Sequence, residues 1–155
     1  MKAGILLENL TPSQNVFFFV NCANQMMNES NKNCFIFFLD DILPSLIQPL
    51  CPTMNSNELS QFNDGVIVTT TIGHTLQALK QIHNSKIKLY MLDLEWLRKP
   101  SDYFHNVEIL RNPRVEVIAR SYDHAKIIKN YANISTVKVV ENDNLMEILN
   151  LTTNT

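Results

Sequence analysis

Short apolar runs recur along the chain, and the period of the apolar positions changes between them. Lys2–Glu8 (KAGILLE), Cys34–Leu39 (CFIFFL), Gly65–Thr71 (GVIVTTT), Lys88–Leu94 (KLYMLDL), Val115–Ala119 (VEVIA) and Thr136–Val140 (TVKVV) are apolar or β-branched stretches of strand length. Between them the apolar positions fall at helical spacing. Val16, Phe19, Val20, Ala23, Met26 and Met27 share one face of a helix, which Thr11, Pro12 and Gln14 are placed to open as a capping box. Phe17 and Phe18 exceed what one stripe needs, which predicts cover on a second side. Leu76, Leu79 and Ile82 define a helix over about 75–83. Ala125, Ile128, Tyr131 and Ala132 define another, capped by Ser121 or Asp123, and Leu145–Leu149 predicts a last helical turn or two.

Six apolar strands alternating with amphipathic helices predict an α/β protein with a parallel sheet covered on both faces. Right-handed crossovers make it a doubly wound, Rossmann-like sheet, read as one domain over residues 1–155. Two stretches break the rhythm. Residues 42–64 hold Pro44, Pro49 and Pro52 with a short helix near Ser56–Phe62, and residues 95–112 mix helix and loop. Connections of this length tend to carry function.

Ligands of open α/β sheets bind beyond the carboxyl ends of the strands, where the strand order reverses. That rule selects Glu8-Asn9, Asp40-Asp41, Thr70 within Thr69–Thr71 (with His74 nearby), Asp93, Glu95, Trp96, Arg120 and Ser121 as candidate ligand-binding residues. With the runs above in the order 3-2-1-4-5-6, the crevice would lie between Glu8-Asn9 and Asp93–Glu95, with Trp96 as a stacking platform. The largest cavity is expected at that same edge. No residue is assigned a catalytic role.

Composition narrows the chemistry. A formal net charge of −2 offers no attraction to nucleic acid or to anionic membranes. The apolar runs FFFV and FIFFL are too short to span a bilayer, and no basic-then-apolar leader opens the chain, so the expected location is the cytoplasm. Asparagine supplies about one residue in eight, the bias of an AT-rich genome. Glycines occur only at 4, 65 and 73, none within GxGxxG or GxxxxGK[ST], which argues against NAD, FAD and P-loop nucleotides; no cofactor is expected. Cys22, Cys34 and Cys51 form no CxxC and pair with no histidine at ligand spacing, and His74, His83, His105 and His124 share none either. No metal site is expected, and the thiols read as buried and free.

The stretch Ile118-Ala119-Arg120-Ser121 followed by Val139-Val140-Glu141-Asn142-Asp143 resembles the inter-domain seam of retaining GT-B glycosyltransferases. There a strand ending in serine leads through a helix and a strand to the turn that opens the second domain. The turn here, Asn142-Asp143-Asn144, lacks the family's glycine. The resemblance implies the acceptor-side half of such an enzyme, with a carbohydrate acceptor as ligand. It also implies no transfer without self-association or a second protein subunit. Short chains of this type are familiar from phage genomes, which would place the protein in a host cytoplasm. The order Asp40-Asp41, Asp93, Ser121, Lys138 is similar to that of receiver domains, which implies Asp93 as phosphoacceptor and Lys138 as its phosphate partner. The third reading is a Rossmann-like interaction or structural module, viral in the same view, with the FFFV helix and loop 42–54 as contact surface.

Overall fold

The computed structural model describes residues 2–28, 33–39, 47–98, 100–141 and 144–150. Among the described residues seven strands form one sheet: β1 (Lys2–Leu7), β2 (Asn33–Phe38), β3 (Thr53–Asn55), β4 (Val66–Thr69), β5 (Lys86–Met91), β6 (Val115–Ala119) and β7 (Lys138–Val139). Their order is β3-β2-β1-β4-β5-β6-β7, and every neighbouring pair is parallel. The helices are α1 (Gln14–Asn28), α2 (Ile72–Gln81), α3 (Tyr103–Leu110), α4 (Tyr122–Ala132) and α5 (Leu145–Asn150). The architecture is a Rossmann-like, doubly wound α/β sheet.

Strand alternation sends each apolar set to its own layer. Ala3, Ile5 and Leu7 of β1, with Val68, Tyr90 and Ile118, pack under α1 and α5. On the opposite face, Leu6, Phe37, Ile67 and Ile87 meet Ala78 of α2 and Ile82, which caps its end, while Leu89, Met91, Val117 and Ala119 meet α3 and α4. Burying a Leu, Ile or Phe side chain contributes about 1.5–3 kcal/mol, so these layers supply the main drive to fold. In α1 the buried side chains are Val16, Phe19, Val20, Cys22, Ala23 and Met26. Phe18 packs partly against the same core, but Phe17 is about half exposed, so the second side of this helix is covered only in part.

The sheet departs from the six-strand expectation in two ways. Thr53–Asn55, inside the stretch read as loop, is a seventh strand that pairs with β2 through Ile36 and Thr53. It is three residues long, and Pro49 and Pro52 precede it, so no periodicity marks it. Because β3 takes the outer place, the 65–71 run moves in beside β1: Ala3 faces Val66 and Leu6 faces Thr69. The start of α1 also differs. Ser13, rather than Thr11, caps it, its Oγ accepting from Val16 N at 3.2 Å, while Asn9 Oδ1 accepts from Thr11 N at 2.9 Å in a turn of its own.

One buried charge organises the α5 side. Lys88 is 2% exposed, and its Nζ donates to the carbonyls of Ile148 (2.8 Å) and Leu149 (3.2 Å) at the end of α5. Glu116 stands 3.7 Å away and also pairs with Lys138. Burial lowers the Lys88 pKa, and Glu116 partly offsets that. A cation at a helix carboxyl end also complements its dipole.

Gly4 sits in the sheet centre where a Cβ would approach Ile67 Cδ1 to 2.3 Å, with Phe37 and Phe62 at 3.1 and 3.3 Å. Gly4→Ala is therefore expected to destabilise the fold by about 1–3 kcal/mol through overpacking, read as a lower urea midpoint at unchanged m-value.

Candidate functional site at the carboxyl edge of the sheet

Winding reverses at β1, since β1 leads through α1 to β2 on one side while β4 leads through α2 to β5 on the other. The crevice of a doubly wound sheet opens at this point. It therefore lies between the ends of β1 and β4, not between β1 and the 88–94 run as the simpler strand order implied. Register sets Leu6 beside Thr69, so Leu7-Glu8 and Thr70-Thr71 leave the sheet from neighbouring strand ends. Leu39 N donates to Glu8 O at 3.0 Å, which holds the end of β1 against β2 and leaves the Glu8 side chain exposed.

His74 completes this group. It lies in the first turn of α2, whose cap Thr71 accepts from His74 N at 3.0 Å. The ring is buried and its Nδ1 has no hydrogen-bond partner. Burial lowers the His74 pKa from 6.5, and nearby Glu8 partly restores it. A neutral, desolvated imidazole with an unused nitrogen thus stands beside a solvent-facing carboxylate. Beneath it, Thr69 and Thr75 hydroxyls hydrogen-bond at 2.7 Å, and Thr75 Oγ1 donates to Thr71 O at 2.8 Å. Sequence reasoning did not single out His74 because its ligand spacing says nothing. The available signal was its position three residues after a capping threonine at a strand end, a pattern repeated by Ser121 and His124.

Glu95 has an internal task. Its Oε1 and Oε2 accept from Ile72 N at 3.0 and 3.2 Å, so a carboxylate of the chain itself occupies the first turn of α2. Burial raises its pKa above 4.5, against the lowering effect of the Ile72 N–H. Beside it a cavity of about 200 Å³ is lined by Ile72, Gly73, Glu95, Asp102, His105 and Asn106.

The other candidates form a second group around the ends of β5 and β6. Asp93 accepts from Leu94 N at 2.8 Å and pairs with Arg98, and Arg120 Nη1 donates to Leu92 O at 3.3 Å. Ser121 caps α4, its Oγ accepting from His124 N at 3.2 Å. Burial and then Arg120 lower the His124 pKa, with Asp93 opposing. Trp96 is not a stacking platform: it is buried, and Tyr131 stacks on it at 3.9 Å between centroids and 8° between planes. Asp40 and Asp41 lie outside the described residues. Lys138 turns its amine to Glu116, away from Asp93, so the receiver-like pair is not brought together.

A larger cavity, about 560 Å³, lies at the opposite edge, between residues 110–117 and 133–138. It opens because β7 pairs only with Ile118 and Ala119, leaving Val115–Val117 without a strand neighbour on that side among the described residues. Of these two cavities, the one beside Glu95 at the carboxyl edge is the smaller. Among the described residues no group of three or more His, Cys, Asp or Glu side chains is placed to hold a metal ion, and no helix is long and apolar enough to cross a membrane.

A histidine held neutral by burial adds stability that is complete above 6.5 and is lost as pH falls from there through the lowered native value. Glu95, raised above 4.5, contributes in the opposite sense, most when protonated and less as pH rises through its native value. Stability is therefore expected to fall as pH drops below 6.5, and His74→Gln is expected to flatten that slope in urea melts taken across pH 5–7.

No protein-family model and no curated protein matches this chain, so what the site does is read from its own geometry.

Proposed function

We propose that this domain acts as the acceptor-side half of a GT-B-like glycosyltransferase arrangement, binding a neutral polyhydroxylated ligand in the β1/β4 crevice. The observation that carries this reading is the closure of the helix amino-termini along the carboxyl edge. Ser13 closes α1, Thr71 and Glu95 close α2, and Ser121 closes α4. Nucleotide and diphosphate sites need such N–H groups open. Here a carboxylate already sits at α2, and it would repel a phosphate.

What the crevice offers instead suits hydroxyl groups. Glu8 accepts and Thr70 both donates and accepts, while neutral, buried His74 stands beside them. Arg98 is engaged by Asp93, and Arg120 by Leu92 O. The strand order and the capped turn after β6 at Ser121 are in keeping with the GT-B resemblance; Asn142 and Asp143 lie outside the described residues. Fold alone does not assign activity, and transfer would need a donor-binding domain beside this one. Exposed Phe17 on α1 and Leu50 are contact candidates; residues 42–46 of the expected contact loop are outside the described residues.

A second reading, a non-catalytic interaction module, is favoured by a different observation. Leu97, Phe104 and Tyr122 are exposed to 69%, 85% and 76%, which marks apolar surface available to a partner.

Titration calorimetry with neutral oligosaccharides and with nucleotide sugars tests the proposal, with light scattering to report mass. Oligosaccharide binding is expected, weakened about tenfold by Glu8→Ala or Thr70→Ala through loss of one hydrogen bond each. Nucleotide sugars should bind weakly or not at all. Tight nucleotide-sugar binding by the monomer, or oligosaccharide binding indifferent to both substitutions, would overturn it.

A further inference from the structure

Cys34 and Cys51 stand seventeen positions apart in the chain and share one buried layer of the fold. Ile36 lies opposite Thr53, and Ile36 N donates to Pro52 O at 3.0 Å. Two residues back from this pair come Cys34 on β2 and Cys51 just before β3, both in the same buried layer. Neighbouring strands run about 4.7–4.9 Å apart, within the roughly 4.4–6.8 Å between Cα atoms that a disulfide spans. Both side chains enter the apolar layer under α1, and both thiols are reduced. They hydrogen-bond to each other, which raises the Cys34 pKa and lowers that of Cys51. The lowered pKa favours Cys51 over Cys34 as the attacking thiolate.

We propose that Cys34 and Cys51 are an oxidative modification site, closing to an intrachain disulfide that ties β2 to β3. The disulfide would bridge the connection between these strands, which contains Asp40 and Asp41 and leaves β2 beside the β1 end of the crevice. A low-molecular-weight disulfide such as oxidised glutathione is a sufficient oxidant. The Cys51 thiolate attacks one glutathione sulfur, the S–S bond breaks, and a glutathione thiolate leaves with the electron pair. Cys34 then loses its proton and attacks the Cys51 sulfur, expelling the second glutathione. Two protein thiols are oxidised, and one glutathione disulfide becomes two thiols.

Cys51 is the side of approach, at 5% exposure against 0% for Cys34. The segment before it is latched to α1 by Asn24, whose Nδ2 donates to Gln48 O (3.0 Å) and whose Oδ1 accepts from Leu50 N (2.7 Å). Releasing that latch should expose the pair. Cys22 is the third thiol of the same core layer and the natural competitor.

The full chain is equilibrated in glutathione redox buffers of graded ratio, quenched with acid, alkylated and peptide-mapped. The expected product is the Cys34–Cys51 cross-linked peptide, with two hydrogens lost from the intact mass. Cys22→Ser should form it equally, Cys51→Ser should abolish it, and Asn24→Ala should speed its formation several-fold. Because the wild-type map decides by itself, a Cys51 variant that fails to fold leaves the test intact. Only glutathione adducts, only intermolecular disulfides, or a disulfide that includes Cys22 would overturn the proposal.

Discussion

The parallel pairing of β1 on both of its edges is the constraint from which the rest of the molecule follows. β2 lies on one side and β4 on the other, so β1 has neither an open edge nor an open face. Its side chains must then be apolar both ways, Ala3, Ile5 and Leu7 toward α1 and Leu6 toward α2. Where Phe37, Ile67 and Phe62 converge, even a methyl group is too much, and the position is Gly4. The same strand is where the chain turns from winding one way to winding the other, so its last residues open on the crevice. Packing at the centre and chemistry at the edge share one element.

That edge has consumed much of its own polarity. A helix amino-terminus exposes N–H groups that attract anions, and in this chain Ser13, Glu95, Thr71 and Ser121 answer them from within. The basic groups nearby are engaged at the surface, Arg98 by Asp93 and Arg120 by a carbonyl. What stays open is Glu8 and Thr70, over one neutral, buried histidine. Such a surface discriminates by hydrogen-bond direction rather than by net charge.

Legibility varied with the length of the pattern. The strand runs of Ile5, Ile36 and Val117 and the stripe of α1 repeat over enough residues to be read directly. β3 is three residues with prolines before it, and it becomes a strand only because β2 presents an unpaired edge beside it. Trp96 shows the limit for single side chains: an indole near a strand end suits stacking, yet Tyr131, thirty-five positions later, had already taken it. The cysteines show the same limit in reverse, since no spacing in the chain hints that β2 and β3 lie in register.

Local order alone therefore determined that this is a parallel α/β sheet covered on both faces, with capped turns gathered at its carboxyl edge. Periodicity and capping act over a few residues, and both are written in the chain. Tertiary structure decided which strand stands beside β1, and hence that Glu8 meets His74 and the Thr69–Thr71 turn rather than Asp93. It also decided that Glu95 closes α2, that Lys88 is buried against α5, and that Cys34 faces Cys51. Those pairings join residues far apart in the chain, and they are selected by which arrangement buries the apolar faces and satisfies the helix ends together.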